Sequence, residues 1–182
     1  AGAKEVRLIH EPMAAAIGIG IDVLEPMGNM IVDIGGGTSE IAVIALGGIV
    51  NNKSIRTAGD DFTAEIVEYM RKQHNMYIGE RTAEMIKIEV GSALTELDNP
   101  PDEYAVHGRD LLTGIPKEIK VNYSEIAYCL DKSISKIETA VLNALEQTPP
   151  ELAADIYRTG IYLTGGSALL RGLDKRLNTK KK

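Results

Sequence analysis

The sequence predicts an α/β fold: a mixed sheet with flanking helices and a small α/β insertion. Three observations carry this reading. Short apolar runs, some alternating with polar residues, recur near both ends of the chain. Between them lie segments whose apolar residues fall at helical spacing. Twice a strand-like run ends in glycines and then a small hydroxyl residue, in "IVDIGGGTS" and in "IYLTGGSA".

Taken in order, Pro12 and "MAAAIG" read as a short helix with proline at its first position, where the missing N–H is no loss. Gly18 and Gly20 end it. "NMIVDI", Asn29 to Ile34, reads as a strand, and "TSEIAVIAL" follows with roughly alternating polarity. A Gly47-Gly48 turn then leads into "GGIVNNKSIR", which completes an antiparallel meander. Asp60 begins a helix with Phe62, Ile66, Tyr69 and Met70 on one face. A second helix runs from about Glu80 to Leu94, and Pro100-Pro101 marks the loop after it. "EYAVHG" and "KEIKVN" are short strand candidates around the turn-rich "RDLLTGIP". From Ser124 to Gln147 a long helix places Ile126, Leu130, Ile134, Ile137, Val141 and Leu145 on one stripe. In "TPPE", Thr148 is a candidate cap, Pro149 the first helical position and Glu151 the partner in a capping box. A strand, "GIYLT", a glycine turn, "GGS", and a helix, "ALLRGLDKRL", finish the chain. No internal repeat is visible. Residues 1–78 and 123–182 form the main lobe on this reading, and 79–122 the insertion.

Composition narrows the function classes. The chain has 182 residues, enough for one good-sized domain or two small lobes, and is 44% hydrophobic and 25% charged. A net charge of -6 argues against broad binding to nucleic acid or an anionic membrane, both of which need a positive field. The run Lys180-Lys181-Lys182 reads as a solvated tail. Cys129, the single cysteine, has no internal disulfide partner and reads as a small core or boundary residue in a reducing compartment. No apolar run is long enough for a bilayer, and no signal peptide is visible. His10, His74 and His107 fall in three separate segments, which suggests neither a metal cluster nor a triad.

The glycines carry the chemistry. Glycines at a strand end let backbone N–H groups face outward, where a phosphate can approach within hydrogen-bonding distance. In "DIGGGTS", Gly36, Gly37 and Thr38 are the candidate phosphate contacts and Gly35 the residue that permits the turn. Asp33 adds a carboxylate suited to magnesium through its water shell. A plain glycine-rich hairpin fits this stretch alone equally well, and neither glycine motif is a P-loop, because no lysine follows in register. The two motifs together, separated by a long insertion, are more specific than either. Glu84 and Lys87 lie three apart on one helix and face the same way. A surface ion pair is the competing reading.

Together, "EVRLIHEPMAAAIG", "MIVDIGGGTSEIAVI", "IGERTAEMIKIEVGSA", "TPPELAADI" and "GIYLTGGSALLRGLD" resemble segments of the actin-like ATPase superfamily, and within it the MreB family of bacterial actins. The resemblance covers nearly the whole chain. It implies a lobe of the actin-like, ribonuclease H-like fold, most of its second half, with the main lobe as subdomain IIA and the insertion as subdomain IIB. The family's first phosphate loop, an Asp-Leu-Gly-Thr stretch, has no counterpart here, so this lobe is expected to line only one side of the nucleotide.

The resemblance also implies roles. ATP and Mg2+ are the expected cofactors. Glu11, held extended ahead of Pro12, and Thr38 would position the water that attacks the γ-phosphate. Glu84, Met85, Ile86 and Lys87 would contact ribose and base, and Gly166, Ser167, Ala168 and Leu169 would form the adenosine wall. Ser167 stands where the family commonly has a third glycine. The implied partners are other filament protomers, a membrane-anchored shape-determining protein and the cell-wall elongation machinery. The implied place is the cytoplasm, at the inner face of the bacterial inner membrane, with membrane contact only through the other lobe and no nucleic acid. Slow ATP hydrolysis is expected of the two-lobed protein and not of this lobe alone. A sugar or acid kinase or a chaperone-like ATPase on the same fold, or an interaction module without activity, remain the other readings.

Overall fold

A computed structural model describes residues 2–179, so the terminal lysine run lies outside the described residues. A four-stranded mixed sheet forms the centre. Its strands are β1 (Asn29–Ile34), β2 (Ser39–Ala45), β3 (Gly48–Ile55) and β7 (Ile161–Thr164), in the order β3-β2-β1-β7. β1 pairs antiparallel with β2 and parallel with β7. β1 reads as a nearly continuous apolar run because both its faces are covered. Met30, Val32 and Ile34 face the main core, and Ile31 faces a smaller cluster with Ala16.

Helix α1 (Glu11–Gly18) covers the smaller cluster. On the opposite face lie α2 (Gly59–His74) and α4 (Tyr123–Glu146). The stripe expected on α4 is buried from Ile126 through Val141. Asn122 caps this helix reciprocally: its side chain accepts the Glu125 N–H at 3.0 Å, and its own N–H donates to the Glu125 carboxylate at 2.7 Å. Phe62, Ile66 and Met70 of α2 are fully buried against it, each contributing about 1.5–3 kcal/mol by leaving water. Cys129, half-buried on α4, has its thiol pushed up to about 12 by burial and by the nearby Glu65 and Glu125 carboxylates.

A second, three-stranded antiparallel sheet comprises β4 (Met76–Tyr77), β5 (Tyr104–Asp110) and β6 (Pro116–Val121), in the order β4-β5-β6. Helix α3 (Glu80–Val90) packs between this sheet and α2. The apolar core runs unbroken from the large sheet to Val106 and Val121 of the small one. No helix among the described residues is long and apolar enough to cross a membrane.

Five local expectations change. Helix α1 begins at Glu11 itself, because the His10 carbonyl accepts the Ala14 N–H; the extended residue is His10. Helix α3 stops at Val90, since Gly91 turns to extended backbone. Pro150, not Pro149, opens α5 (Pro150–Thr159), and no side chain caps it. Thr148 instead donates back to the Ala144 carbonyl at 2.7 Å, so the expected capping box does not form. The last helix is interrupted: a 3-10 turn, Gly166–Leu169, precedes α6 (Leu173–Thr179), with Gly172 at φ +73 at the break.

The fifth concerns the β2–β3 hairpin. Ala45 pairs with Gly48, which leaves Leu46 and Gly47 as the two central residues at φ +51 and +71. Two positive φ values match the twist of a two-residue hairpin. Leu46 is held there because its N–H donates to the Glu25 carbonyl and that of Gly47 to Val23. A leucine in left-handed backbone is strained by about 1–2 kcal/mol. Leu46→Asn therefore stabilises the chain by about 0.5–1 kcal/mol; a thermal melt showing no gain would place the strain elsewhere.

Candidate functional site

The N-terminus of α2, the β1–β2 turn, the start of the 3-10 turn and one face of α3 enclose a cleft of about 550 Å³. Its lining includes Gly35, Gly36, Gly59, Asp60, Glu84, Lys87, Ile88, Gly166, Ser167 and Leu169. Both glycine motifs and the Glu84–Lys87 helix therefore meet at one place. Its size falls within the range of small-molecule sites.

The β1–β2 turn, residues 35–38, is closed by the Gly35 N–H donating to the Thr38 carbonyl at 3.0 Å. None of its glycines has positive φ, so Gly35 is not needed to permit the turn. Their value here is space. A Cβ on Gly36 would lie 3.2 Å from Asp60 Oδ1. The first N–H groups of α2 lack helical partners and find them in this turn. Gly59 N–H donates to Gly35 O at 3.0 Å and Asp60 N–H to Gly36 O at 2.8 Å. Among the described residues, the N–H groups of Gly36, Gly37 and Thr38 have no protein partner. Consecutive exposed N–H groups of this kind form an anion-binding concavity.

The α3 wall is a polar knot. Lys87 Nζ donates to Gly59 O at 3.0 Å and to Thr63 Oγ1 at 3.1 Å, and pairs with Glu84 Oε2 at 2.7 Å. Thr63 donates to the same Glu84 oxygen at 2.7 Å. Burial pushes the Glu84 carboxyl upward, but hydrogen bonds from Lys87 and Thr63 and the lysine charge outweigh it and hold it below the usual range. The Lys87 side chain is 13% exposed and that of Glu84 45%, so the pair is half-buried at the cleft wall.

Ser167 closes the far side. Its hydroxyl donates to Gly35 O at 3.2 Å, tying the second glycine motif to the first. Its Cβ is accommodated within the 3-10 turn, because the residue that must be glycine is Gly165. That residue has φ +84, and a Cβ on it would lie 2.3 Å from Ile34 O and 2.6 Å from Asp33 Oδ1. Asp33 sits opposite Thr164, whose buried hydroxyl has no protein partner.

Several expected residues lie elsewhere. Ile86 is fully buried in the core, facing away from the cleft. Met85 lines a different surface hollow with Tyr104 and His107. Ala168 is half-buried and does not line the cleft. Thr38 is exposed on the turn outside the lining, and Glu11 is exposed at the start of α1, across the sheet from α2. Gly165 was visible only as part of the second glycine motif, and Gly59, Asp60, Thr63 and Ile88 were not evident from sequence. The one signal for them was the pair "GD" at the start of a helix, which is common in any protein. No group of three or more His, Cys, Asp or Glu that could hold a metal exists among the described residues.

The family model described as MreB/Mbl protein matches residues 1–182. The chain belongs to the MreB/Mbl family. This MreB/Mbl chain is 52% identical over 180 residues to the cell shape-determining protein MreB of Escherichia coli K12, covering 97% of this chain and 50% of that protein. It is 48% identical over 176 residues to the cell shape-determining protein Mbl of Bacillus subtilis, covering 97% and 52%. It thus spans about half the length of the curated relatives it matches. The crystal structure of MreB5 of Spiroplasma citri bound to AMPPNP aligns with a TM-score of 0.94 at 42% identity, over 99% of this chain and 54% of that one. At 22% identity and a TM-score of 0.72, the MamK double helical filament shares the fold. The fold is therefore actin-like, and the family is that of bacterial actin-like cytoskeletal proteins.

Proposed function

We propose that this chain is the nucleotide-binding second lobe of a filament-forming bacterial actin, with subdomain IIA at 1–78 and 123–182 and subdomain IIB at 79–122. The observation that carries the reading is the row of unpartnered N–H groups at Gly36, Gly37 and Thr38, on a turn whose Gly35 and Gly36 line a cleft shared with Glu84, Lys87, Gly166 and Ser167. The AMPPNP and ADP complexes of the Spiroplasma relative support it.

The residues fit ATP in kind. Gly36, Gly37 and Thr38 hold phosphate oxygens through backbone N–H groups, with Gly35 as the anchor of the turn. Glu84 Oε1, free of Lys87 and Thr63, accepts from a ribose hydroxyl. Ile88 and Leu169, 55% and 88% exposed, offer apolar surface to the base beside Gly166 and Ser167. Asp33 would hold Mg2+ through water, and the metal would supply charge neutralisation at the phosphates. The chain's own contribution is to orient the phosphates and to place water: Glu11 and Thr38 hold the attacking water once the other half of the fold is present.

In the whole protein, nucleotide state governs filament assembly, and hydrolysis is slow. Filaments lie at the inner face of the inner membrane, bind a membrane-anchored shape-determining partner and guide the cell-wall elongation machinery. Lipid contact comes through the other lobe, and nucleic acid is not a partner.

The test is Glu11→Ala and Thr38→Ala in the full-length gene product. Each lowers phosphate release per folded molecule by at least about tenfold and leaves ATP affinity within about twofold, because water placement acts on the transition state. The double variant is little worse than either single one, since both serve one water. Unchanged turnover in both single variants removes the water-placing role.

A further inference from the structure

Arg171 holds the end of α3 twice, once through its side chain and once through its backbone. The last turn of a helix leaves C=O groups without helical partners, and the helix dipole favours a cation there. Arg171 Nη1 donates to Ile88 O at 2.9 Å and reaches Gly91 O at 3.5 Å. The Arg171 carbonyl accepts the Ala93 N–H at 2.8 Å. We infer that Arg171 is a positioning residue that sets the spacing of the two apolar walls, Ile88 and Leu169, that take the base. The inference rests on the reading of those walls as the nucleoside end of the cleft.

Short covalent paths supply the mechanism. Ile88 is the residue whose carbonyl Arg171 holds, and Leu169 lies two residues before Arg171 in the chain. Both line the cleft. Between Leu169 and Arg171, Leu170 is buried and packs close to Gly91, where a Cβ would lie 2.9 Å from Leu170 Cδ1. The segment after α3 and the segment before α6 run side by side, joined as a parallel bridge at Ser92 and Arg171. Ser92 is fully buried, and its hydroxyl is shared between Leu94 O at 2.7 Å and Arg171 O at 3.3 Å. One wall of the slot is therefore clipped to the other within two residues of each. Apolar walls offer a flat ring dispersion, and a gap of about 0.5–1 Å forfeits about a quarter to a half of it. The phosphate turn takes its bonds from Gly59 and Asp60 of α2, so its geometry does not depend on Arg171.

Two measurements test this. The first is residue-resolved amide exchange on the 182-residue chain without nucleotide. In Arg171→Met, the Gly91 and Ala93 amides exchange about tenfold faster, as expected for loss of a charge-assisted hydrogen bond at the helix end. The Leu130 and Ile134 amides of α4 stay within about twofold. Uniform acceleration marks a loss of global stability only, and no acceleration marks no clip; either overturns the inference. The second is titration of the full-length gene product with ADP and with pyrophosphate, which lacks the nucleoside. Arg171→Met weakens ADP about fivefold or more and pyrophosphate less than about twofold. Equal losses for the two ligands, or a larger loss for pyrophosphate, mean that Arg171 does not act on the base slot and overturn the inference. If unaltered protein binds ADP no better than pyrophosphate, the nucleoside reading fails, and the exchange measurement still decides the clip. Should Arg171→Met not fold, Arg171→Lys keeps a cation in place of the planar fork. It gives the same pattern at smaller size; equal losses for the two ligands, or none, in Arg171→Lys overturn the inference equally.

Discussion

Gly165→Ala lowers the melting temperature by about 10 °C or more, the largest stability loss expected of any single change at the cleft. Gly165 has φ +84 and ψ 163, a region that is essentially glycine's alone. A methyl group there would also stand 2.3 Å from Ile34 O and 2.6 Å from Asp33 Oδ1. The carbonyl belongs to β1, the strand at the centre of the core, and cannot yield without disturbing the β1–β7 pairing. Backbone strain and overlap together come to about 3–5 kcal/mol. The neighbouring glycine is the control. A Cβ on Gly166 meets nothing within 4 Å, and its φ is not positive, so Gly166→Ala changes stability by less than about 0.5 kcal/mol. Paired thermal melts check both. Equal effects of the two substitutions would mean that Gly165 does not hold the strand end.

Gly36→Val removes nucleotide binding and leaves the fold intact. The new Cβ lies 3.2 Å from Asp60 Oδ1, the end of an exposed side chain that can swing away. Gly36 has no positive φ, so valine meets no forbidden backbone, and the stability loss stays near about 1 kcal/mol. The valine methyls, however, fill the exposed side of the turn, where the Gly36, Gly37 and Thr38 N–H groups are free. Losing two charge-assisted hydrogen bonds to phosphate removes about 3–6 kcal/mol, so affinity for ATP falls at least about 100-fold. Titration of the folded variant, with a melt alongside, measures this. Normal affinity would move the phosphate away from this turn.

Much of the fold was legible because its signals are local. The buried stripe of α4 and the apolar faces of α2 depend only on helical spacing, and the continuous run in β1 depends only on burial from both sides. What was hidden depends on distant groups. Leu46 sits in the hairpin turn because two carbonyls of the 23–25 loop hold it there, and nothing near Leu46 in sequence announces that. The glycine pair at 165–166 was visible as a motif, but which of the two is locked follows from where Ile34 O and Asp33 happen to lie. Gly59 is glycine because Ser167, Gly35 and Lys87, from three different segments, converge on it. In the site itself, helical spacing put Glu84 and Lys87 on one face correctly. A four-residue block from 84 to 87 could not all face one cleft, and Ile86 turns into the core. Thr148 followed the capping pattern in sequence, yet its hydroxyl had the Ala144 carbonyl one turn behind it.

The central claim is that phosphate binds at the 35–38 turn and the nucleoside lies along α3 and the 3-10 turn. Residue-resolved NMR titration of this chain with magnesium and ADP, up to about 1 mM, tests it most directly, because weak binding by one lobe still shifts resonances in fast exchange. The amides of Gly36, Gly37, Thr38, Gly59 and Asp60 move first and furthest, with smaller shifts at Glu84, Ile88 and Gly166 to Leu169. Shifts confined to the α2–α4 groove around Glu65, Tyr69 and Cys129, or no shift at Gly36 and Gly37 at saturating ADP, would contradict it.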